Sequence, residues 1–171
     1  MKKIFVMILI TLFLLKTVSA DDLIIPKDAI RIRIIANSNN EYDQNIKIKL
    51  KNSLQNQLYV LLKDINGSEN ARNIINSNLG EIEKNIKNIL DKEKYNLGYK
   101  INFGQNYFNK KKYKGITYEE GYYESLLITL GKGEGDNWWC VLFPPLCLIE
   151  AEESDKVEYK FFIKELIEKY L

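Results

Sequence analysis

Two cysteines, Cys140 and Cys147, bracket the stretch CVLFPPLC, and the chain holds no others. Such a pair suits two chemistries: a short-range disulfide, or catalysis by a thiolate nucleophile. The second usually needs a histidine base, and the sequence contains no histidine. The same absence removes a Ser-His-Asp arrangement. A zinc centre would have to draw four ligands from two cysteines and carboxylates, a poor match to the usual thiolate and imidazole sets. A disulfide closing so short a loop would contribute roughly 2.5 kcal/mol, less any strain. Two buried free thiols are the alternative.

The carboxylates offer less. Glu119, Glu120 and Glu124 stand close enough in sequence to form an acid–base pair, but glutamates of this kind are common on exposed strand ends. Glu134 and Asp136 could touch a hard cation, yet two ligands are too few for a dedicated calcium site. The stretch GKGEG invites comparison with phosphate-cradling loops. Those loops lead into a helix N-terminus, whose N–H groups bind the anion, whereas strand-like residues follow here. The expectation is therefore a protein without cofactor or metal that binds rather than catalyses.

Binding chemistry concentrates just after the glycines. Trp138 and Trp139 are adjacent, so on a strand their side chains leave on opposite faces. One can enter a core; the other needs a cover, a partner or solvent. Indole is common at interaction hot spots because it buries a large area and keeps a donor. Two readings stand: both rings buried, or one presented at an apolar tip. Gly131, Gly133 and Gly135 permit positive φ and a close backbone approach. Lys110–Lys114 is a basic run that reads as a solvated turn or as peripheral contact with an anionic membrane surface.

These residues need a framework, and hydrophobic periodicity supplies one. Ile30, Ile32 and Ile34 alternate with Arg31 and Arg33, the period of a strand. Ser38 with Glu41 fits a capping box ahead of a helix over 41–63, with Ile46, Leu50, Leu54, Leu58, Leu61 and Leu62 on one face. A second helix is expected over 69–92, weakened but not ended at Gly80. Tyr99, Ile101 and Phe103 alternate as a strand. Residues 122–130 read as a central strand, and 138–143 as another, joined to it through the glycine segment as a hairpin. Pro144-Pro145 ends that strand. Ser154 can cap a last helix running to the C-terminus.

The first twenty residues stand apart. Lys2 and Lys3, the apolar run Ile4–Leu15 and the small residues Val18-Ser19-Ala20 form the three parts of a secretory signal peptide. As a helix the run is about 18 Å long, short of the roughly 30 Å of a bilayer core. Cleavage after Ala20 is expected, with retention as a short anchor the alternative. Residues 21–171 then form a single domain. The formal charge is +2, and losing the three leader lysines lowers it to −1, which leaves no electrostatic footprint for nucleic acid. The fold class is α+β: one antiparallel or mixed sheet with helices packed on it.

Two stretches, GKGEGDNWWCVLFPPLC from Gly131 and RIIANSNNEYDQNIKIKL from Arg33, resemble stage II sporulation protein R of endospore-forming bacteria. The similarity extends over about 30–148. Lys51-Asn52 stand where the family pattern implies Arg-Asp, and Asn39-Asn40 replace a more acidic turn. The resemblance implies a signalling protein made in the forespore and exported into the septal intermembrane space. There it triggers a membrane-embedded aspartic protease of the mother cell, which processes the precursor of the early mother-cell sigma factor. The candidate interaction surface is then Trp138, Trp139, Asn137, Gly133 and Gly135, with Asn37, Ser38, Asp43 and Gln44 of the second stretch. A secreted hydrolase acting on cell-envelope material, working through the glutamates named above, is the competing class.

Overall fold

The computed structural model describes residues 25, 27–113, 116–146 and 167–170. The expected leader, Cys147 and most of the expected C-terminal helix lie outside them. Six strands and three long helices follow in the order β1 (Ile30–Ile35), α1 (Glu41–Leu62), α2 (Ser68–Ser77), α3 (Leu79–Lys92), β2 (Tyr99–Phe108), β3 (Lys111–Tyr113), β4 (Ile116–Tyr118), β5 (Gly121–Leu130) and β6 (Asn137–Phe143). The fold is α+β with a mixed sheet, as the patterning requires. No helix among the described residues is long and apolar enough to cross a membrane.

The core lies between the helices and one face of the sheet. Ile46, Leu50, Leu54, Leu58 and Leu62 recur every fourth residue along α1 and are all buried. Ala71 and Ile75 of α2 join them, with Ile82, Ile86 and Leu90 of α3. From the sheet come Ile30, Ile32 and Ile34 of β1 and Leu126, Ile128 and Leu130 of β5. Each such side chain withdrawn from water contributes on the order of 1.5–3 kcal/mol, and this layer is what fixes α1 against β1.

The main sheet has the order β2-β5-β1-β6. β1 is parallel to β5 and antiparallel to β6, so the expected β5–β6 hairpin is not formed. Lying between them, β1 has the hydrogen-bonding groups of both its edges paired, as a buried backbone requires. The Gly131–Asp136 connection therefore crosses the end of β1 instead of turning tightly.

Three other expectations are corrected. The long second helix is two helices that part at Asn78, not a single one passing Gly80. Asn78 leaves helical geometry at φ −107° and ψ 6°, and its amide Nδ2 donates to the carbonyl of Ile74 at 2.8 Å. The first helix is capped by Asn40, not Ser38. Asn40 has extended backbone and its side chain accepts from the Asp43 N–H. The basic run that read as a turn contains strand β3, paired with β4 in a small hairpin.

Candidate functional site

Both stretches that carry the family resemblance meet at one end of the sheet, and a single carboxylate organises the meeting. Asp43, in the first turn of α1, is 1% exposed. Its Oδ2 accepts from Asn37 Nδ2 at 2.8 Å, Ser38 Oγ at 2.7 Å and Asn40 Nδ2 at 3.1 Å. Its backbone N–H donates to Asn40 Oδ1 at 2.7 Å. A buried carboxylate at a helix N-terminus with three side-chain donors is well compensated, because hydrogen bonds to a charged group are stronger than neutral ones. The tetrad shapes the turn from 36 to 40.

The glycine segment is laid on that turn. Gly135 N–H donates to Ala36 O at 2.9 Å and Glu134 N–H to Asn37 O at 3.1 Å. Lys132 N–H donates to Asn37 Oδ1 at 3.0 Å, and Asp136 N–H to Asn39 Oδ1 at 2.6 Å. Lys47, buried on α1, completes the clip by donating to Gln44 Oε1 and to the carbonyl of Asp136. Burial pushes the Lys47 ammonium below its ordinary pKa, with the nearby Asp136 carboxylate opposing the shift. Gln44 also donates to the carbonyl of Ser38 at 2.9 Å. Gly131 and Gly133 sit at positive φ. A Cβ on Gly135 would fall on the backbone carbonyl of Ser38. The polar side chains of Asn37, Ser38, Asp43 and Gln44 thus face one another and the glycine loop.

The two tryptophans divide between the faces of the sheet. Trp138 pairs with Ile34 on the helix side, where Lys51 Nζ lies 5.6 Å above its ring. Trp139 pairs with Arg33 on the other side. There Tyr118 and Phe108 meet its ring edge-on, with centroids at 5.1 Å and 5.6 Å. Both indoles are half-buried, and Asn137 beside them is exposed. Cys140 follows, also half-buried; its expected partner is outside the described residues.

Sequence patterning missed what lies beneath Trp139. Arg31 is 1% exposed. Its guanidinium carbon stands 3.4 Å from the Tyr123 ring centroid, 5.1 Å from Phe108 and 5.3 Å from Trp139. Its Nε and Nη1 have no hydrogen-bond partner among the described residues. Desolvation lowers its pKa, while Tyr123 and Tyr118 work against that shift. Arg33, on the same face, has its Nε buried without a partner and donates through Nη1 to Tyr107 O at 3.2 Å. Alternation with isoleucine puts both arginines on the sheet face away from the helices, which by itself would leave them to solvent. The β3–β4 hairpin and the ends of β2 and β5 cover them instead. Guanidinium tolerates this because it is weakly hydrated and stacks on rings.

The suspected acid–base glutamates do not converge. Arg72 grips Glu124 with two bonds of 2.6 Å and 2.8 Å, an arrangement that raises the arginine's pKa. Glu119 is paired with Lys110 at 2.9 Å, and Glu120 accepts from Tyr107. Among the described residues, no three acidic, cysteine or histidine side chains are grouped so as to hold a metal. Lys110, Lys111 and Lys112 are exposed.

A family model described as stage II sporulation protein R matches residues 26–153. Over 135 residues the chain is 41% identical to Stage II sporulation protein R of Bacillus subtilis (strain 168). That alignment spans 79% of this chain and 60% of the length of the relative. No solved structure matches the chain.

Proposed function

Because the chain belongs to the stage II sporulation protein R family, we propose that it is an exported signal made in the forespore. It acts in the septal intermembrane space on a membrane-embedded aspartic protease of the mother cell, and so starts processing of the early mother-cell sigma factor precursor. One observation supports a binding role above the others. The Asp43 clip and the glycine segment hold β6 in place, so that Trp139 and Asn137 are presented by a preformed backbone. A preformed surface loses little ordering entropy on contact, and it can favour one state of a receptor over another.

In this reading Asn37, Ser38, Asp43, Gln44, Gly133 and Gly135 are scaffold, and the contact is made by the Trp139 side of β6. The leader is cleaved after Ala20, and Cys140 forms a disulfide with Cys147. The envelope-hydrolase alternative would need Glu119, Glu120 and Glu124 to act together. Their separate partners, Lys110, Tyr107 and Arg72, argue against that.

The deciding experiment is deletion of the gene followed by complementation. Sigma-factor processing should stop just after asymmetric division and return with the intact chain. Normal processing with defective septal thinning would instead point to an envelope hydrolase. Exported material should begin at Asp21 and run two hydrogens lighter than the reduced chain by mass spectrometry; two free thiols in active protein would remove the disulfide from the mechanism.

A further inference from the structure

A surface pocket of about 410 Å³ opens beside Trp139. Three cations line it, Arg33, Lys110 and Lys111, against one carboxylate, Asp136; Trp139 supplies an aromatic wall, with the buried Phe108 behind it. Lys111 Nζ is 5.8 Å from the Trp139 ring centroid. Among the described residues Lys110 is engaged with Glu119, and both side chains of that pair are about 60% exposed. An ion pair so exposed is weak and can be exchanged for a better anion. Arg33 is half-buried, short of acceptors at Nε, and held by Tyr107 O. Its position is thus fixed by the fold, while the two lysines are free to close on a ligand.

We propose that this pocket binds the phosphate group of a phosphate ester, whose remaining atoms lie against the exposed part of the Trp139 ring. The surplus of two positive charges matches a phosphate dianion better than a single carboxylate. A guanidinium fork and two ammonium point charges are the usual means of holding its several oxygens. The aromatic wall gives an organic remainder a surface that free phosphate cannot use. This assignment is independent of protease activation.

The test uses the purified full-length chain and the Trp139 indole N–H resonance. Glycerol 3-phosphate should shift that signal saturably and inorganic phosphate should do so more weakly. Sodium chloride at matched ionic strength should not shift it at all. Lys110→Gln with Lys111→Gln should weaken glycerol 3-phosphate binding at least fivefold without moving the unfolding midpoint. Asp136→Asn should strengthen it, which keeps the test open if the lysine variant folds poorly. Vesicles of phosphatidylcholine with phosphatidic acid, a lipid phosphate monoester, separate the sources. Vesicle binding lost in the double lysine variant but kept in Lys112→Gln assigns a lipid headgroup; ester binding without vesicle binding assigns a soluble ester. No saturable shift with ester or vesicles overturns the proposal. So does an equal loss in Lys112→Gln, which would mean diffuse charge, or tighter binding of a tetra-aspartate peptide, which would mean a carboxylate site.

Discussion

The Oδ1 of Asn37 occupies the space that a side chain on Gly131 would need, and from there it accepts the Lys132 N–H at 3.0 Å. The obstacle at Gly135 is of another kind, the backbone of Ser38. This difference has a measurable consequence. Gly131→Ala and Gly135→Ala should both destabilise, by about 2 kcal/mol or more, since each combines crowding with a constrained loop. Adding Asn37→Ala should recover part of the Gly131→Ala loss and none of the Gly135→Ala loss. Urea unfolding of the five variants, Asn37→Ala alone included, gives the coupling energies; equal coupling in both pairs would show that the clash is not what matters.

Trp138 and Trp139 should separate stability from signalling. Trp138→Ala empties a site between β6 and α1 and should cost roughly 3 kcal/mol, with sigma-factor processing tracking the amount of folded protein. Trp139→Phe keeps an aromatic ring against Tyr118 and Phe108, so it should stay within about 1 kcal/mol of the parent. If the Trp139 face makes the contact, processing should still fall in that variant. Processing that follows folded protein in both cases would move the contact surface elsewhere.

Arg31 is a cation held by rings. Its desolvation is expensive, several kcal/mol before compensation, and contact with Tyr123, Phe108 and Trp139 returns about 2 kcal/mol or more. Arg31→Met fills similar volume without charge and should be neutral or stabilising by about 1 kcal/mol. Arg31→Lys places a more strongly hydrated point charge in the same cage and should cost about 2 kcal/mol. Thermal unfolding of the two variants decides it; a large loss in Arg31→Met would mean the charge itself is needed.

Tyr95 predicts a pH dependence. Its hydroxyl is buried without a hydrogen-bond partner among the described residues. Burial, with Asp43 and Tyr42 adding to it, pushes the phenol from 10.0 up to about 12. The folded chain therefore resists the phenolate that the unfolded chain forms more readily. This stabilisation is fully present below pH 10 and is lost as pH rises towards 12, by about 2–3 kcal/mol. Tyr99 and Tyr107 shift in the same direction, so the test is a difference. Tyr95→Phe should be neutral or slightly stabilising at pH 7, and its stability should fall less steeply above pH 10. Parallel curves for the two proteins would refute this.

What the sequence revealed and what it hid divide along local and non-local lines. The fourth-residue spacing from Ile46 to Leu62 is a property of α1 alone, and the helix ends where the pattern does. Adjacency placed Trp138 and Trp139 on opposite faces, which follows from strand geometry. The partner of β6 was not legible. A glycine-rich link between two apolar strands suggests a hairpin, and nothing local to it signals that β1 will come between. The glycines are needed because the link crosses the turn at 36–40, a contact nearly a hundred residues away in sequence. Arg31 was hidden for the same reason: only the later β3–β4 hairpin makes its outward face an inward one. At Asn78 the miss was chemical, since its side chain satisfies the Ile74 carbonyl and marks a break where one continuous helix was expected.

The sheet order also sets a timetable. β1 is the first strand the ribosome completes, yet both of its neighbours, β5 and β6, come from the last third of the described chain. Closing such long loops is slow, because their entropy must be spent before the pairing compensates it. Until Leu130 has emerged β1 has two unsatisfied edges, and until Phe143 has emerged it still has one, with four isoleucines and two arginines to shield. A chain stopped before β6 would present that strand as an open template for another molecule. The native state therefore cannot be assembled from its beginning: it closes from the end, when β6 settles beside β1 and brings the glycine segment down on the turn at Asn37.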